Sequence, residues 1–403
     1  MPPTESPAPA EALSAMWIAP AAPSSRAYLN SASAGLPAAP VLDAVLAYLR
    51  REAELGALDA AAEAAPRLEA TYDNAARLLG ARSDEIAFVE SGNRGLQALL
   101  ASVPLVPGDR VLVARAEWGG SLAMLASLDG VSVEPMPTDS RGVLDLEATR
   151  AMADGRVRLI LLTWCPATNG LVNPAAEIGA LAAELGAIFI LDACQAVGQL
   201  PVDVGVLGCH GLVASGRKWL RGPRGTALLY ASRSFLTRTR PAMPDQFGAN
   251  WSAGRWQARA DARRFETGEA FVAGRLGLGV AIEGALALGM DRLQARIATL
   301  AGHLREGLAA LPGVTVYDTG PALSGIVTFG VAGVSAAAAR DRLAAQGISV
   351  SVREARYAPF DMAARGLAEV VRAAPHVFND EAEIDATIAA VAALRDMGRS
   401  AVG

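Results

Sequence analysis

The chain has 403 residues, and at roughly 150 residues per domain that length implies two to three domains with cores of their own. Lys and Arg number 36 against 41 Asp and Glu, a net charge of −5, which argues against nucleic acid as the main partner because phosphate binding needs a basic surface. With 52% hydrophobic and 19% charged residues and a mean hydropathy of +0.28, a disordered chain is excluded.

Residues 1–25 are rich in Pro, Ala and Ser, with Glu5 and Glu11 but no basic start and no sustained apolar run. They are expected to form a disordered tail, not a signal peptide. Residues 26–270 alternate in the manner of an α/β domain. Helical periodicity covers 41–55 and 65–79, a short apolar strand follows at 86–89, and Leu96, Leu99, Leu100 and Val103 then place one buried stripe on a helix. Further strands are expected at 110–114, 131–134, 158–163, 187–191, 211–214 and 226–230, several of them continuous apolar runs, with a helix at 174–185. That grammar predicts a mostly parallel, doubly wound sheet. Residues 271–403 change texture. A long helical stretch at 270–311 leads to strands at 314–317 and 326–329, a helix at 335–346, a strand at 348–352 and a helix at 380–396, which together predict a smaller α+β domain. The most apolar region, 175–198, is interrupted by Glu177, Glu184 and Asp192, so no membrane span is expected.

Three scattered cysteines, Cys165, Cys194 and Cys209, form no disulfide framework and suggest a reducing, cytoplasmic compartment. Three histidines without CxxC or HxxxH spacing give no metal site and disfavour a histidine-based hydrolase. An organic cofactor is an obvious alternative source of catalytic power.

Three segments carry chemistry. Asp192 follows five apolar residues and so ends a buried strand, the edge where open α/β sheets bind ligands. Taken alone, it serves equally well as the cap of the next turn. Lys218 stands in Ser215-Gly216-Arg217-Lys218-Trp219-Leu220-Arg221 before a Gly-Pro-Arg-Gly turn. Neighbouring cations and desolvation lower a lysine's pKa and make it a carbonyl-directed nucleophile. Glu90-Ser91-Gly92-Asn93-Arg94 lies at a strand-to-helix junction, where backbone N–H groups make an anion site.

Together these segments resemble the fold-type I pyridoxal-phosphate enzymes of aminotransferase class V, from Tyr28-Leu29-Asn30-Ser31-Ala32 to Arg372-Ala373-Ala374-Pro375-His376-Val377-Phe378-Asn379. The resemblance implies pyridoxal 5'-phosphate as cofactor, an amino-acid substrate and a homodimer with shared active sites. It implies that Lys218 carries the cofactor and moves the substrate's α-proton, Asp192 pairs with the pyridine nitrogen, and Gln195 meets the phenolic oxygen. Ser91, Gly92, Asn93, Ser215 and Arg217 would hold the phosphate. Trp118, in the place of the family's ring-stacking histidine, is otherwise a core tryptophan. Arg372 would grip the substrate carboxylate, with Ser31, Ser33, Arg353 and Tyr357 lining the substrate pocket.

Departures from the family pattern narrow the reaction. Desulfurases of this class carry a cysteine on a loop before the carboxylate-binding arginine, and residues 351–371 contain none. Pro166-Ala167-Thr168-Asn169-Gly170 departs from the family's substrate-side asparagine, and Glu269 replaces the threonine of a phosphate clamp reaching from the neighbouring subunit. An acid cannot bind phosphate, so Glu269 is expected to hold an arginine or a substrate amine. The pattern is most similar to the branch with the ergothioneine C–S lyases and enzymes acting on S-cysteinyl conjugates in sulfur natural products. It implies β-elimination from an S-substituted cysteine to thiol, pyruvate and ammonia. Transamination or decarboxylating deamination is the alternative, ahead of cysteine desulfuration and of a non-catalytic scaffold that has kept the fold.

Overall fold

A computed structural model describes residues 16–22 and 26–400. Its centre is a seven-stranded sheet made of β1 (Ile86–Val89), β2 (Arg110–Val113), β3 (Ser132–Pro135), β4 (Val157–Thr163), β5 (Ile188–Asp192), β6 (Gly211–Ser215) and β7 (Ala227–Ala231). The spatial order is β1-β7-β6-β5-β4-β2-β3. Strands β3, β2, β4, β5 and β6 pair in parallel, whereas β7 runs antiparallel to both β1 and β6. Residues 216–226 contain no crossover helix, so the chain turns back on itself between β6 and β7. Apolar residues in consecutive positions serve opposite faces. Leu159 and Leu161 enter one hydrophobic cluster while Ile160 and Leu162 enter the other, as the two-residue period of a strand covered on both sides requires.

Helices α1 (Ala39–Leu55), α2 (Ala57–Leu79), α3 (Gly92–Ser102) and α4 (Ala175–Leu185) belong to this sheet's layers. So does α5 (Val272–Leu288), which is apolar nearly all round and packs on α1 and α2. The expected boundary at 270/271 therefore falls one helix too early. Gly289, with φ 88°, ends α5 and lets α6 (Met290–Ala309) leave at 84°. The single helical stretch expected over 270–311 is thus two helices. Among the described residues no single helix is long and apolar enough to cross a membrane.

The second unit is an antiparallel sheet of β8 (Val314–Val316), β9 (Val327–Val331), β10 (Ser351–Glu354) and β11 (Glu369–Ala373), in the order β8-β9-β11-β10. It is backed by α6, α7 (Ala336–Ala345) and α8 (Glu381–Ser400). The expected strand at 348–352 divides. Ile348–Ser349 pairs in parallel with Ala27–Tyr28, and β10 begins beyond it. Leu29 consequently lies in the core of the second unit.

The expected tail over residues 1–25 is corrected at Trp17, which is 1% exposed. Arg221, itself fully buried at φ 60°, holds this segment. Its guanidinium donates to the carbonyls of Trp17, Ile18, Ala19 and Leu36 and lies 4.8 Å from the Trp17 ring centroid. Carbonyl dipoles and two aromatic faces, Trp17 and Phe378, stand in for a carboxylate. Burial pulls the Arg221 pKa down to about 9. The rest of residues 1–25, apart from 16–22, lies outside the described residues. Trp17→Ala is expected to destabilise the protein by about 3–5 kcal/mol in urea unfolding, the range for emptying a buried aromatic site; a loss below about 1 kcal/mol would show that the segment is not part of the core.

Candidate active site

Parallel strands bring their carboxyl ends to one edge, and the parallel register sets Thr163 of β4 beside Asp192 of β5. Ser215 closes the neighbouring β6. A cavity of about 580 Å³ opens at that edge and is walled on the other side by Arg353 of β10, Arg372 of β11, Tyr357 and Ser33. Ser91, Gly92, Asn93, Trp118, Asp192, Gln195, Ser215, Arg217 and Lys218 all line it. Ser31 does not. Its N–H donates to Ala374 O at 3.2 Å and its hydroxyl is buried without a partner among the described residues. It pins the chain behind the cavity, while the turn it begins delivers Ser33.

Lys218 is the single lysine of the chain; every other basic residue among the 36 is arginine. Enclosure by the cavity strips solvent from its ammonium and lowers its pKa to about 8. Cys194 and Asp192 oppose that shift, and Arg217 and Arg372 add to it. Asp192 is 8% exposed, and its carboxylate accepts the Cys194 N–H at 2.9 Å. Gln195 also faces the cavity, with its amide aligned from behind: Oε1 accepts from Trp219 Nε1 at 2.9 Å and Nε2 donates to Ala32 O at 3.0 Å.

The anion corner is built on the start of α3. Ser91 caps that helix by accepting the Arg94 N–H at 3.2 Å, and the first-turn N–H groups have no intrahelical acceptor. A side chain at position 92 would collide with Cys194 Sγ and Ser215 Oγ, so glycine is what lets these three segments meet. Arg217 lines the same cavity, its pKa lowered by burial and by Arg224. The glycine cradle, the enclosed amine and Arg217 suit a phosphate-bearing aldehyde.

On the opposite wall Trp118 and Tyr357 stack, with centroids 5.2 Å apart and planes at 26°. Trp118 Nε1 is buried without a partner among the described residues. Arg372 is 1% exposed; it donates to Ser33 Oγ at 2.7 Å, Ser351 Oγ at 3.2 Å and Ala167 O at 3.3 Å. Burial beside Arg353 and Arg217 holds its pKa well below the usual arginine value. Asn169 stays out of the cavity and ties Leu171 and Thr319.

Other residues were not anticipated. Glu117 is fully buried behind the cavity and accepts both the N–H and the hydroxyl of Thr163 at 2.8 Å. Burial, then the nearby Asp192 charge, raises its pKa to about 8, so at neutral pH it is largely the neutral acid. An acid just before Trp118-Gly119-Gly120 and shortly after β2 was the available signal. Glu269 is exposed; the acid of that segment that holds an arginine is Glu266, 2.7 Å from Arg275 and bonded to Tyr72 and the Phe88 N–H. Cys165 and Cys194 do line the cavity, as its floor. All three cysteines are buried. Burial pushes Cys194 and Cys209 up to about 12 and Cys165 higher still, so none is a thiolate at neutral pH.

Because the chain has one lysine, acylation by an amine reagent can be followed at a single side chain. In the cofactor-free protein, Lys218 modification is expected to rise with a midpoint near pH 8, set by its lowered pKa, and the three cysteines should stay unlabelled until unfolding. A midpoint near the ordinary lysine value of about 10.4 would contradict the enclosure described above.

The sequence profile of aminotransferase class V matches residues 27–387. A probable hercynylcysteine sulfoxide lyase of Mycobacterium tuberculosis is 33% identical over 389 residues, 95% of this chain and 94% of that protein. A cysteine desulfurase of Salmonella agona is 29% identical over 382 residues, 90% of this chain and 92% of that protein. The apo structure of a cysteine desulfurase from Thermococcus onnurineus superposes with a TM-score of 0.84 at 24% identity, covering 92% of this chain and 94% of that one. The chain belongs to aminotransferase class V and is a pyridoxal-phosphate-dependent enzyme.

Proposed function

We propose that the enzyme is a carbon–sulfur β-lyase that acts on an S-substituted cysteine and releases a thiol, pyruvate and ammonia. The observation that carries this reading is the state of its sulfur. Residues 351–371 contain no cysteine, and the three cysteines present are buried, with thiol pKa values far above neutrality. A desulfurase must attack substrate sulfur with its own thiolate; this chain retains the lysine, the ring-nitrogen acid and the carboxylate-binding arginine without such a nucleophile. Similarity to a probable hercynylcysteine sulfoxide lyase over nearly the full length supports the same choice.

In this reading the phosphate would be held by Ser91, Gly92, Asn93, Ser215 and Arg217, the pyridine nitrogen by Asp192 and the phenolic oxygen by Gln195, and Trp118, which also lines the cavity, would pack on the ring. Pyridoxal phosphate supplies an electron sink that makes the substrate's α-proton removable. Arg372 grips the α-carboxylate with its planar fork, which fixes the Cα–H bond toward Lys218. Lys218 is uncharged to a useful extent near neutral pH because enclosure lowers its pKa to about 8, and it takes the α-proton. The Cβ–S bond then breaks with its electron pair leaving on sulfur, a proton completes the thiol, and water converts the three-carbon remainder to pyruvate and ammonia. The buried, neutral Glu117 fixes Thr163, whose hydroxyl in turn receives the Trp118 N–H at 3.3 Å.

A homodimer with shared active sites belongs to this reading. Leu42, Leu46 and Leu49 form an exposed apolar face on α1, and Trp251 and Trp256 are 61% and 59% exposed on a hairpin of residues 249–258. Incubation with an S-alkyl-L-cysteine should give thiol and pyruvate in equal amounts, and Lys218→Ala should lower kcat by about 10²–10⁴-fold or more. Alanine and persulfide from free cysteine, or pyridoxamine phosphate accumulating without pyruvate, would overturn the lyase reading.

A further inference from the structure

An indole N–H can only donate and a backbone carbonyl can only accept. The amide of Gln195, a residue 5% exposed, is bracketed by one of each: Oε1 accepts from Trp219 Nε1 at 2.9 Å and Nε2 donates to Ala32 O at 3.0 Å. Turning the amide over would set its NH2 against the indole N–H and its oxygen against the Ala32 carbonyl, two repulsive contacts in a buried place. The amide therefore has a single orientation. Beyond these two bonds it keeps one N–H and one lone pair for the cavity that Gln195 lines.

Trp219 is held as firmly as the amide it directs. It is fully buried, and its ring stacks on that of His376 with centroids 5.7 Å apart and planes at 24°. His376 Nδ1 accepts the Val377 N–H at 2.8 Å, so the imidazole proton is on Nε2, which donates to the Trp219 carbonyl at 3.0 Å. Burial, then the charge of Arg221, lowers the His376 pKa to about 3, so the ring is neutral at and well below neutral pH. From the same side Gln199 Nε2 donates to the Gln195 carbonyl while its Oε1 accepts the Gly325 N–H at 2.8 Å. A side chain at position 325 would meet the Trp219 ring at 2.8 Å, so glycine there makes room for the indole.

Filling apolar space does not by itself call for tryptophan, because a buried indole N–H costs stability unless it finds an acceptor. Here the acceptor is the amide that faces the cofactor space. Resting on the cofactor contacts of the reading above, though not on the reaction it assigns, we propose that Trp219 is a positioning residue: it locks Gln195 so that the free N–H of Nε2 is offered to the cofactor's phenolic oxygen. A donor there draws charge from that oxygen and weakens its hold on the proton it shares with the Lys218 nitrogen. Without the lock the amide can present its own oxygen instead, and the proton leaves only at higher pH. The charged and titratable groups facing this space are Asp192, Cys194, Arg217 and Lys218 from the larger sheet and Arg353 and Arg372 from the other wall. An uncharged replacement of Trp219 alters none of them.

The test is a pH titration of the holoenzyme without substrate, followed by the visible absorbance of the bound cofactor, which changes when that proton leaves. The midpoint is compared in the unsubstituted enzyme, Trp219→Phe, Gln195→Leu and the double variant. Trp219→Phe keeps an aromatic ring and loses the N–H; it is expected to raise the midpoint by about one pH unit, the size of one charge-assisted hydrogen bond. Gln195→Leu should raise it by a similar amount, and Trp219→Phe should add nothing once Gln195 is gone. An unchanged or lowered midpoint in Trp219→Phe, or the same shift with and without Gln195, would overturn the proposal. A midpoint unmoved by Gln195→Leu would remove the contact between Gln195 and the phenolic oxygen, and the proposal with it; a shift in Gln195→Leu beside none in Trp219→Phe would sink the proposal alone. Pyruvate release decides the lyase reading separately, since no substrate enters this titration. Should Trp219→Phe fail to fold, 3-(3-benzothienyl)alanine at position 219 puts sulfur in place of the N–H on the same bicyclic ring and gives the same reading with the packing preserved.

Discussion

Five cationic side chains, Arg217, Lys218, Arg224, Arg353 and Arg372, share the walls of one cavity with the carboxylates of Glu90 and Asp192. This surplus of positive charge is the constraint around which the rest of the site is arranged. Like charges in a partly desolvated space repel, and the chain contains the repulsion with neutral acceptors such as Ser33, Ser351 and the Ala167 carbonyl. A rigid frame is needed to hold them there. The parallel strands supply one wall from their carboxyl ends, and the smaller antiparallel sheet supplies the other. The lowered pKa of Lys218 follows from the same enclosure. A nucleophilic amine and an anion-hungry pocket are thus two consequences of one placement.

Sulfur shows how location and environment outweigh count. Cysteines line this cavity, yet they form its floor among buried strand ends, where desolvation and the Asp192 charge keep them as thiols. A mobile loop would present a cysteine to the substrate; a buried strand end presents only volume. The position next to Gly92 and Ser215 makes Cys194 a packing element of the anion corner.

Much of this was legible because acids and bases interrupting apolar runs are conspicuous. Asp192 and Lys218 each come after a continuous apolar run, and those runs identified the buried strands. The antiparallel return of β7 was less visible, since an apolar run carries no sign of its direction. Trp17 was hidden in a segment whose Pro, Ala and Ser composition suggested disorder; one buried aromatic and the carbonyls taken by Arg221 outweigh that composition. Gly289 looked like one more small residue in an alanine-rich stretch, but its φ of 88° breaks the helix and moves α5 onto the larger unit. Ser31 and Ser33 are indistinguishable by type, and the turn they occupy decides which one reaches the cavity. The solitary lysine is a signal that the sequence reading did not use: arginine serves every other basic position, and in the proposed lyase mechanism the one amine stands where a guanidinium could not take the proton.

The account rests on the claim that anionic ligands complete an otherwise over-charged cavity. Its most direct measurement is the melting temperature of the cofactor-free protein with saturating pyridoxal phosphate and, separately, with pyridoxal. The two share ring and aldehyde and differ in the phosphate. A ligand at 100 times its Kd stabilises by about 2.7 kcal/mol, so pyridoxal phosphate should raise the melting temperature by several degrees and pyridoxal at equal concentration by far less. Equal shifts from the two would contradict the account.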